Sequence, residues 1–191
     1  MEYFQSKYPM GLLKNYIFKD PLCDWLEIQH SKYQEFQKDN PSKYKEFIIK
    51  ESNEYKHKIF SLICNRLGLP CIFPQLSVIE TKRCLLHKEN VIFNAKLYHD
   101  IYNLIIPCDI IIDSETFQNV FPEIENKPYM NETDYIIIDL SYASLHFKKD
   151  KQDIYNDGMI LYKKCSLYCF HKCLQKLITN PIHSFLLGKE Y

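Results

Sequence analysis

The sequence predicts a mixed α/β protein in which a sheet is flanked by helices. Three observations carry that expectation. Helical patterns fill the first third of the chain. Strand signals rich in Ile and Val cluster in the middle. A long helical pattern and one last apolar strand close the chain. The 191 residues suffice for one well-cored domain, and 46% hydrophobic residues speak against disorder. There is no internal repeat, low-complexity tract or clear linker. The chain therefore reads as one domain over 1–191, with a mainly helical part at 1–68 and a sheet-containing core at 69–191.

Taken in order, "KDPLCDWLEIQHSKYQEF" (19–36) predicts a helix opened near Asp20 and Pro21, because proline suits a first helical turn. The segment 42–68 is the best helical signal. Ser42 serves as cap, Gly68 and Pro70 end it, and Ile48, Ser52, Tyr55, Ile59 and Leu62 fall near one face. "PCIF" (70–73) is a short strand candidate. "SVIETKRCLLHK" (77–88) predicts a helix capped by Ser77. "VIFNAKLY" (91–98) and "CDIIID" (108–113) read as strands, the second entered through Pro107. Residues 114–133 read as a polar connection. "DYIIIDLSYASLHF" (134–147) is a strand that runs on into "LHFKKD". Residues 156–178 are mostly helical, and 183–189 is a closing strand.

Composition limits the function. Formal net charge is zero, whereas strong nonspecific nucleic-acid binders are usually basic, so any such contact must use a local patch. Eight cysteines are scattered without a leading signal-peptide-type segment, which predicts reduced, buried thiols in an intracellular protein. No stretch reaches the length of a membrane span, so no membrane partner is expected. No Gly-rich phosphate loop, Walker motif, serine nucleophile elbow or zinc-finger spacing is present. Cys165, Cys169 and Cys173 follow one helical face. They span about 12 Å, too far for one ion, and read as packed small apolar side chains. Trp25, with its aromatic neighbours, reads as helix packing rather than a base-stacking platform.

Asp109 and Asp139 are the informative pair, each set in an apolar strand signal. Two readings stand side by side. They are exposed acids at strand ends, or they converge to hold Mg²⁺, which prefers a few carboxylates and then activates water at a phosphate.

A family resemblance extends over nearly the whole chain. In order, "LLKNYIFKDPLCDWL", "EFIIKESNEYKHKIFSLI", "VIFNAKLY", "IIPCDIIIDSETFQNVF", "DYIIIDLSYASLHF", "IYNDGMILYKKCSLYCFHKCL" and "HSFLLGKEY" resemble the successive motifs of RecB-like nucleases of the PD-(D/E)XK superfamily. The similar members are predicted nucleases of large DNA viruses and phages. The resemblance implies a restriction-endonuclease-like core with a central mixed sheet, and two-carboxylate, Mg²⁺- or Mn²⁺-dependent phosphodiester hydrolysis. By position, Asp109 and Asp139 correspond to the two metal-binding acids. The family lysine corresponds to Ser141, the early-helix Gly and Glu to Ser52 and Lys56, and the late-helix Gln and Tyr to Ser166 and Phe170. Lys164 matches a retained lysine.

The missing lysine removes a positive charge worth roughly 10²–10³ in rate, and Lys56 reverses a charge. The pattern therefore implies a nuclease-fold protein with an impaired or lost activity, serving as a nucleic-acid-associated or protein-interaction module and needing no cofactor. Two alternatives remain. One is an active Mg²⁺-dependent DNA nuclease in which Lys164, or Lys56 itself, supplies the lost charge. The other is a purely structural or assembly subunit. Lys148, Lys149, Lys163 and Lys164 are the candidate phosphate contacts, although a solvated hairpin tip is the plainer reading of Lys148 and Lys149. The implied partners are DNA or viral proteins, in the host cytoplasm, a viral factory or the virion. Oligomeric state is left open.

Overall fold

A computed structural model describes residues 8–9, 14, 16–32, 40–101, 103–124, 135–144, 158–178 and 182–189. The elements are β1 (Tyr8–Pro9), α1 (Pro21–Lys32), α2 (Lys43–Leu67), α3 (Val78–Leu86), β2 (Val91–His99), β3 (Leu104–Asp113), α4 (Ser114–Val120), β4 (Tyr135–Ser144), α5 (Gly158–Gln175) and β5 (Ile182–Lys189). The strands form one mixed sheet. β2 and β4 run antiparallel to β3, β5 runs parallel to β4, and the two-residue β1 runs parallel to the start of β3. No helix among the described residues is long and apolar enough to cross a membrane.

Local chemistry fixes most boundaries. The Ser42 hydroxyl accepts from the Lys45 amide at 3.2 Å, and Gly68 ends α2 at φ 65°, a left-handed conformation that glycine adopts without strain. Ser77 and Glu80 form a reciprocal capping box on α3. The Asp20 carboxylate accepts from the Cys23 amide, and α1 begins at Pro21, where the sequence pattern places its opening.

Four expectations change. "PCIF" is not a strand. It opens on Pro70 and is followed by Pro74, and its Phe73 ring packs instead against Phe60 and Phe93 at 5.2 and 5.1 Å between centroids. The polar connection after residue 113 opens with α4. Asp113 caps it through the Thr116 amide at 2.9 Å, and Phe117 and Val120 are buried. β3 starts at Leu104 rather than Cys108, because Pro107 lies inside the strand, past β1 and before β4 pairs. On α2 the buried face is carried by Phe60, Ile63 and Cys64, while Leu62 is exposed. The expected run of β4 into "LHFKKD" lies outside the described residues.

The sheet has a helical layer on each face. α3 and α5 cover one face, over Ile92, Leu97, Ile106, Cys108, Ile111 and Ile137. α2 and α4 cover the other, over Ile110, Ile112, Ile136, Ile138 and Leu140. Each fully buried isoleucine contributes roughly 1.5–3 kcal/mol through apolar burial.

The alternation in β2 and β3 changes phase midway. Ala95 and Leu97 face the same layer as Ile92, and Cys108 faces the same layer as Ile111. The shift occurs at Asn94, which has φ 52°, and at Asp109, which would pair with it in the strand register. The Asn94 amide donates to the carbonyls of Phe73 and Pro74 at 3.3 Å each and so anchors the irregular backbone.

Candidate functional site

The β3–β4 ladder pairs Ile110 with Ile138. One step further along that register lie Asp109 and Asp139. The reading of these acids as exposed strand ends is corrected, for they are 7% and 5% accessible. Asp109 sits at the phase change of β3, where its side chain enters the space beside β4 rather than a packed face. There the Leu140 amide donates to Asp109 Oδ2 at 2.7 Å. Asp139 follows the strict alternation of β4 and faces α5, with Ile137 on the same side.

Two lysines meet the two acids. Lys56 of α2 donates to Asp109 Oδ1 at 2.5 Å. Lys163 of α5 donates to Asp139 Oδ1 at 2.9 Å and lies 4.0 Å from Asp109 Oδ2. The four charges form a chain of contacts, Lys56 to Asp109 to Lys163 to Asp139, drawn from two strands and both helical layers.

Helical spacing explains why these lysines arrive. Lys163 lies in the inward row of α5, with buried Ile160, Leu167, Phe170 and Leu174 at 3- and 4-residue steps. Lys56 lies one turn before buried Phe60 on α2. A lysine interrupting an apolar stripe was thus a readable signal for Lys163. The resemblance read from the sequence pointed instead to Lys164, whose row carries the exposed Leu161 and Tyr168. Lys163 rather than Lys164 makes the ion pair with Asp139.

A cavity of about 360 Å³ opens beside the two lysines. It is lined by Ile48, Ser52, Lys56, Leu140, Ser141, Tyr142, Met159 and Lys163. Three of the positions at which the sequence departs from the nuclease motifs, Ser52, Lys56 and Ser141, therefore converge on one space. Ser166 and Phe170 are buried in α5 and do not line it. Tyr142 packs edge-on against Tyr55 at 6.2 Å and donates its hydroxyl to Glu51 at 3.4 Å, which holds one side of the cavity. Glu54 pairs with Lys50 along the outside of α2. Lys148 and Lys149 lie outside the described residues.

The electrostatics are strongly coupled. Burial is the largest influence on Asp139 and raises its pKa, and hydrogen bonding with Asp109 raises it further. Lys163 acts in the opposite sense, and the carboxyl is pushed up to about 7. Burial also raises Asp109, but its hydrogen bond with Asp139 and the charges of Lys56 and Lys163 outweigh this and hold it below the usual value. Burial lowers Lys163, and the two aspartates outweigh it, so its ammonium is held protonated. Lys163 is therefore a fixed cation rather than a general base. Cys108, between the acids and the core, is no nucleophile: burial pushes its thiol well up, and it donates to the carbonyls of Ile110 and Ile138.

The donor set does not suit a resident divalent metal. Only two carboxylates converge, and each already carries an ammonium. Among the described residues no group of three or more His, Cys, Asp or Glu side chains could hold an ion. The helical cysteines are packed as expected in part: Cys173 is buried and Cys169 packs against the same core, where burial pushes the Cys173 thiol up to about 11. Trp25 is half exposed. No protein-family model, curated protein or solved structure matches the chain.

Proposed function

We propose that the chain is a RecB-like protein of the PD-(D/E)XK type whose nuclease centre is degenerate, and that it serves as a nucleic-acid-associated or protein-interaction module. One observation carries the reading. Asp109 and Asp139 are buried side by side, as a two-carboxylate centre requires, yet Lys56 and Lys163 neutralise them, and Ser52 and Ser141 line the adjoining cavity. A phosphodiesterase of this kind needs carboxylates free to bind a cation and a cation aimed at the phosphate. Here the carboxylates and the nearby ammoniums are spent on each other.

Cleavage assays test the reading directly. Wild type and D139A are incubated with single- and double-stranded DNA in Mg²⁺ or Mn²⁺. No D139A-sensitive cleavage is expected. Salt-sensitive DNA binding by the wild type supports the nucleic-acid role, and its absence favours protein interaction.

One feature favours the alternative of an active nuclease. Lys163 lines the cavity and touches Asp139, a position from which a relocated lysine would face a bound phosphate. Cleavage that is lost in both D139A and K163M would establish it.

A further inference from the structure

The cavity beside the two lysines has charge of one sign in its lining. Lys56 and Lys163 bring ammoniums to it, Ser52 and Ser141 bring hydroxyls, and among the described residues no acid borders it. The four charges of the cluster balance, but they are layered. The positive members meet the cavity and the acids do not. An ammonium has three N–H donors. Lys56 gives one to Asp109 and Lys163 gives one to Asp139, so each keeps donors for a further acceptor.

Ser141 is a second, independent observation. It is 3% accessible and borders the cavity, yet its hydroxyl makes no hydrogen bond among the described residues. Buried hydroxyls are ordinarily paired, so one left open on a cavity wall marks a place for an outside acceptor. The rest of the wall is apolar. Ile48, Leu140 and Met159 form it, together with Tyr142, whose hydroxyl is engaged by Glu51.

We infer that this cavity is a binding site for a small organic monocarboxylate, its oxyanion held by Lys56, Lys163 and Ser141 and its apolar body against Ile48, Leu140 and Met159. The inference goes beyond the degenerate-nuclease reading, which gives the cavity no ligand. Charge sets the class. Ammonium and hydroxyl donors without a competing acid favour an oxyanion and repel a cation or an amine. Because the cluster itself sums to zero, a monoanion disturbs the balance least, whereas a dianion adds charge that must leave water for little net attraction. Size and depth set the scale. About 360 Å³ lies at the lower end of the range for small-molecule sites. The two lysines are recessed, 28% and 20% accessible, and the Ser141 hydroxyl lies deeper still. A free small molecule can follow them below the surface, and a bulky nucleic-acid backbone cannot.

The test uses the full chain with benzoate as probe and benzamide as its neutral isostere. Binding is measured by calorimetry and by the rise in Tm with benzoate concentration. Benzoate is expected to saturate one site below about 10 mM, and benzamide to bind at least about tenfold more weakly, because it offers the ammoniums no charge. S141A should weaken benzoate by about threefold to tenfold, the loss of one hydrogen bond. S52L fills the cavity from the partly exposed side of α2 without altering any charge, and should abolish the binding. It keeps the inference testable if S141A does not fold, its own fold being checked by circular dichroism. Benzoate that fails to saturate, benzamide that binds equally well, or a folded S52L that binds like wild type each overturn the inference. Inorganic phosphate or a short single-stranded DNA that binds more tightly than benzoate, and is lost in S52L, overturns it too. None of these outcomes touches the degenerate-nuclease reading, which the D139A cleavage assay decides separately.

Discussion

The Leu140 amide donates to the Asp109 side chain at 2.7 Å, so a carboxylate takes over where the β3–β4 ladder leaves off. The bond ties the site to the sheet. Asp109 is held by a backbone amide on one oxygen and a lysine on the other, and its position does not depend on any bound ligand.

The first prediction concerns pH. Asp139 is raised to about 7 from an unfolded value of 3.8. The folded state therefore binds more protons than the unfolded chain between those values. Its contribution is fully present below about pH 4 and is lost as pH rises towards 7, with a slope of at most about 1.4 kcal/mol per pH unit for one proton. Asp109 is lowered, so it acts in the opposite sense, and only below its unfolded value. Urea unfolding at a series of pH values should show wild type losing stability from pH 4 to 7 relative to D139N, which lacks the titrating group. Parallel curves for the two proteins would refute the assignment.

The second concerns the buried pair. K163M leaves Asp139 with no lysine within bonding distance in a nearly closed site, and should cost about 2–4 kcal/mol. The double variant D139N/K163M should recover much of that loss, because a neutral amide no longer needs the cation. A double-mutant cycle measured by chemical denaturation should give a coupling of at least about 1 kcal/mol. Additive losses would mean that the contact contributes nothing.

The third lies away from the site. Thr81 is fully buried; its hydroxyl donates to the Ser77 carbonyl at 2.9 Å and accepts from the Lys96 amide at 2.9 Å. It therefore stitches α3 to β2. T81V keeps the shape and strands the Lys96 amide, at a cost of about 1–3 kcal/mol. Thermal melts of T81V and T81S separate loss of the hydroxyl from change of shape, and T81S should lie closer to wild type.

The fourth concerns the phase change. Asn94 has φ 52°, which costs other non-glycine residues roughly 1 kcal/mol. N94G loses the two bonds to the Phe73 and Pro74 carbonyls but keeps the backbone relaxed. N94A loses the bonds and adds strain, so it should be the less stable of the two. The reverse order in denaturant midpoints would remove the role given to this conformation.

Much of the fold was legible because it is written in local signals. Ser42, Gly68 and Ser77 mark helix ends by their own hydrogen bonds, and the Ile-rich runs at 110–112 and 136–138 leave little choice but buried strands. α4 was missed because its polar residues outweigh Phe117 and Val120, although Asp113 with Glu115 is a legible helix start. "PCIF" misled because an apolar run says that residues are buried, not that a neighbouring strand exists to pair with them. The pairing of Asp109 with Asp139 was legible as two acids in two strands. The identity of their cations was not, since a shift of one position on a helix turns a side chain by about 100°. That step separates Lys163 from Lys164.

The charged cluster at the site also has a consequence for how the chain acquires its structure. β2 ends at His99 and β3 starts at Leu104, so their ladder needs only short-range closure. Lys56 meets Asp109 across 53 positions, Lys163 meets Asp139 across 24, and Asp109 meets the Leu140 amide across 31. Such contacts bear the larger entropic penalty and form late. The charged cluster should close only after both helical layers have docked, which makes it a reporter of the finished native state. Conservative truncations in the β2–β3 hairpin, such as I92V, should slow refolding, whereas K163M should chiefly accelerate unfolding. Stopped-flow chevrons for the two variants would read that order of events directly.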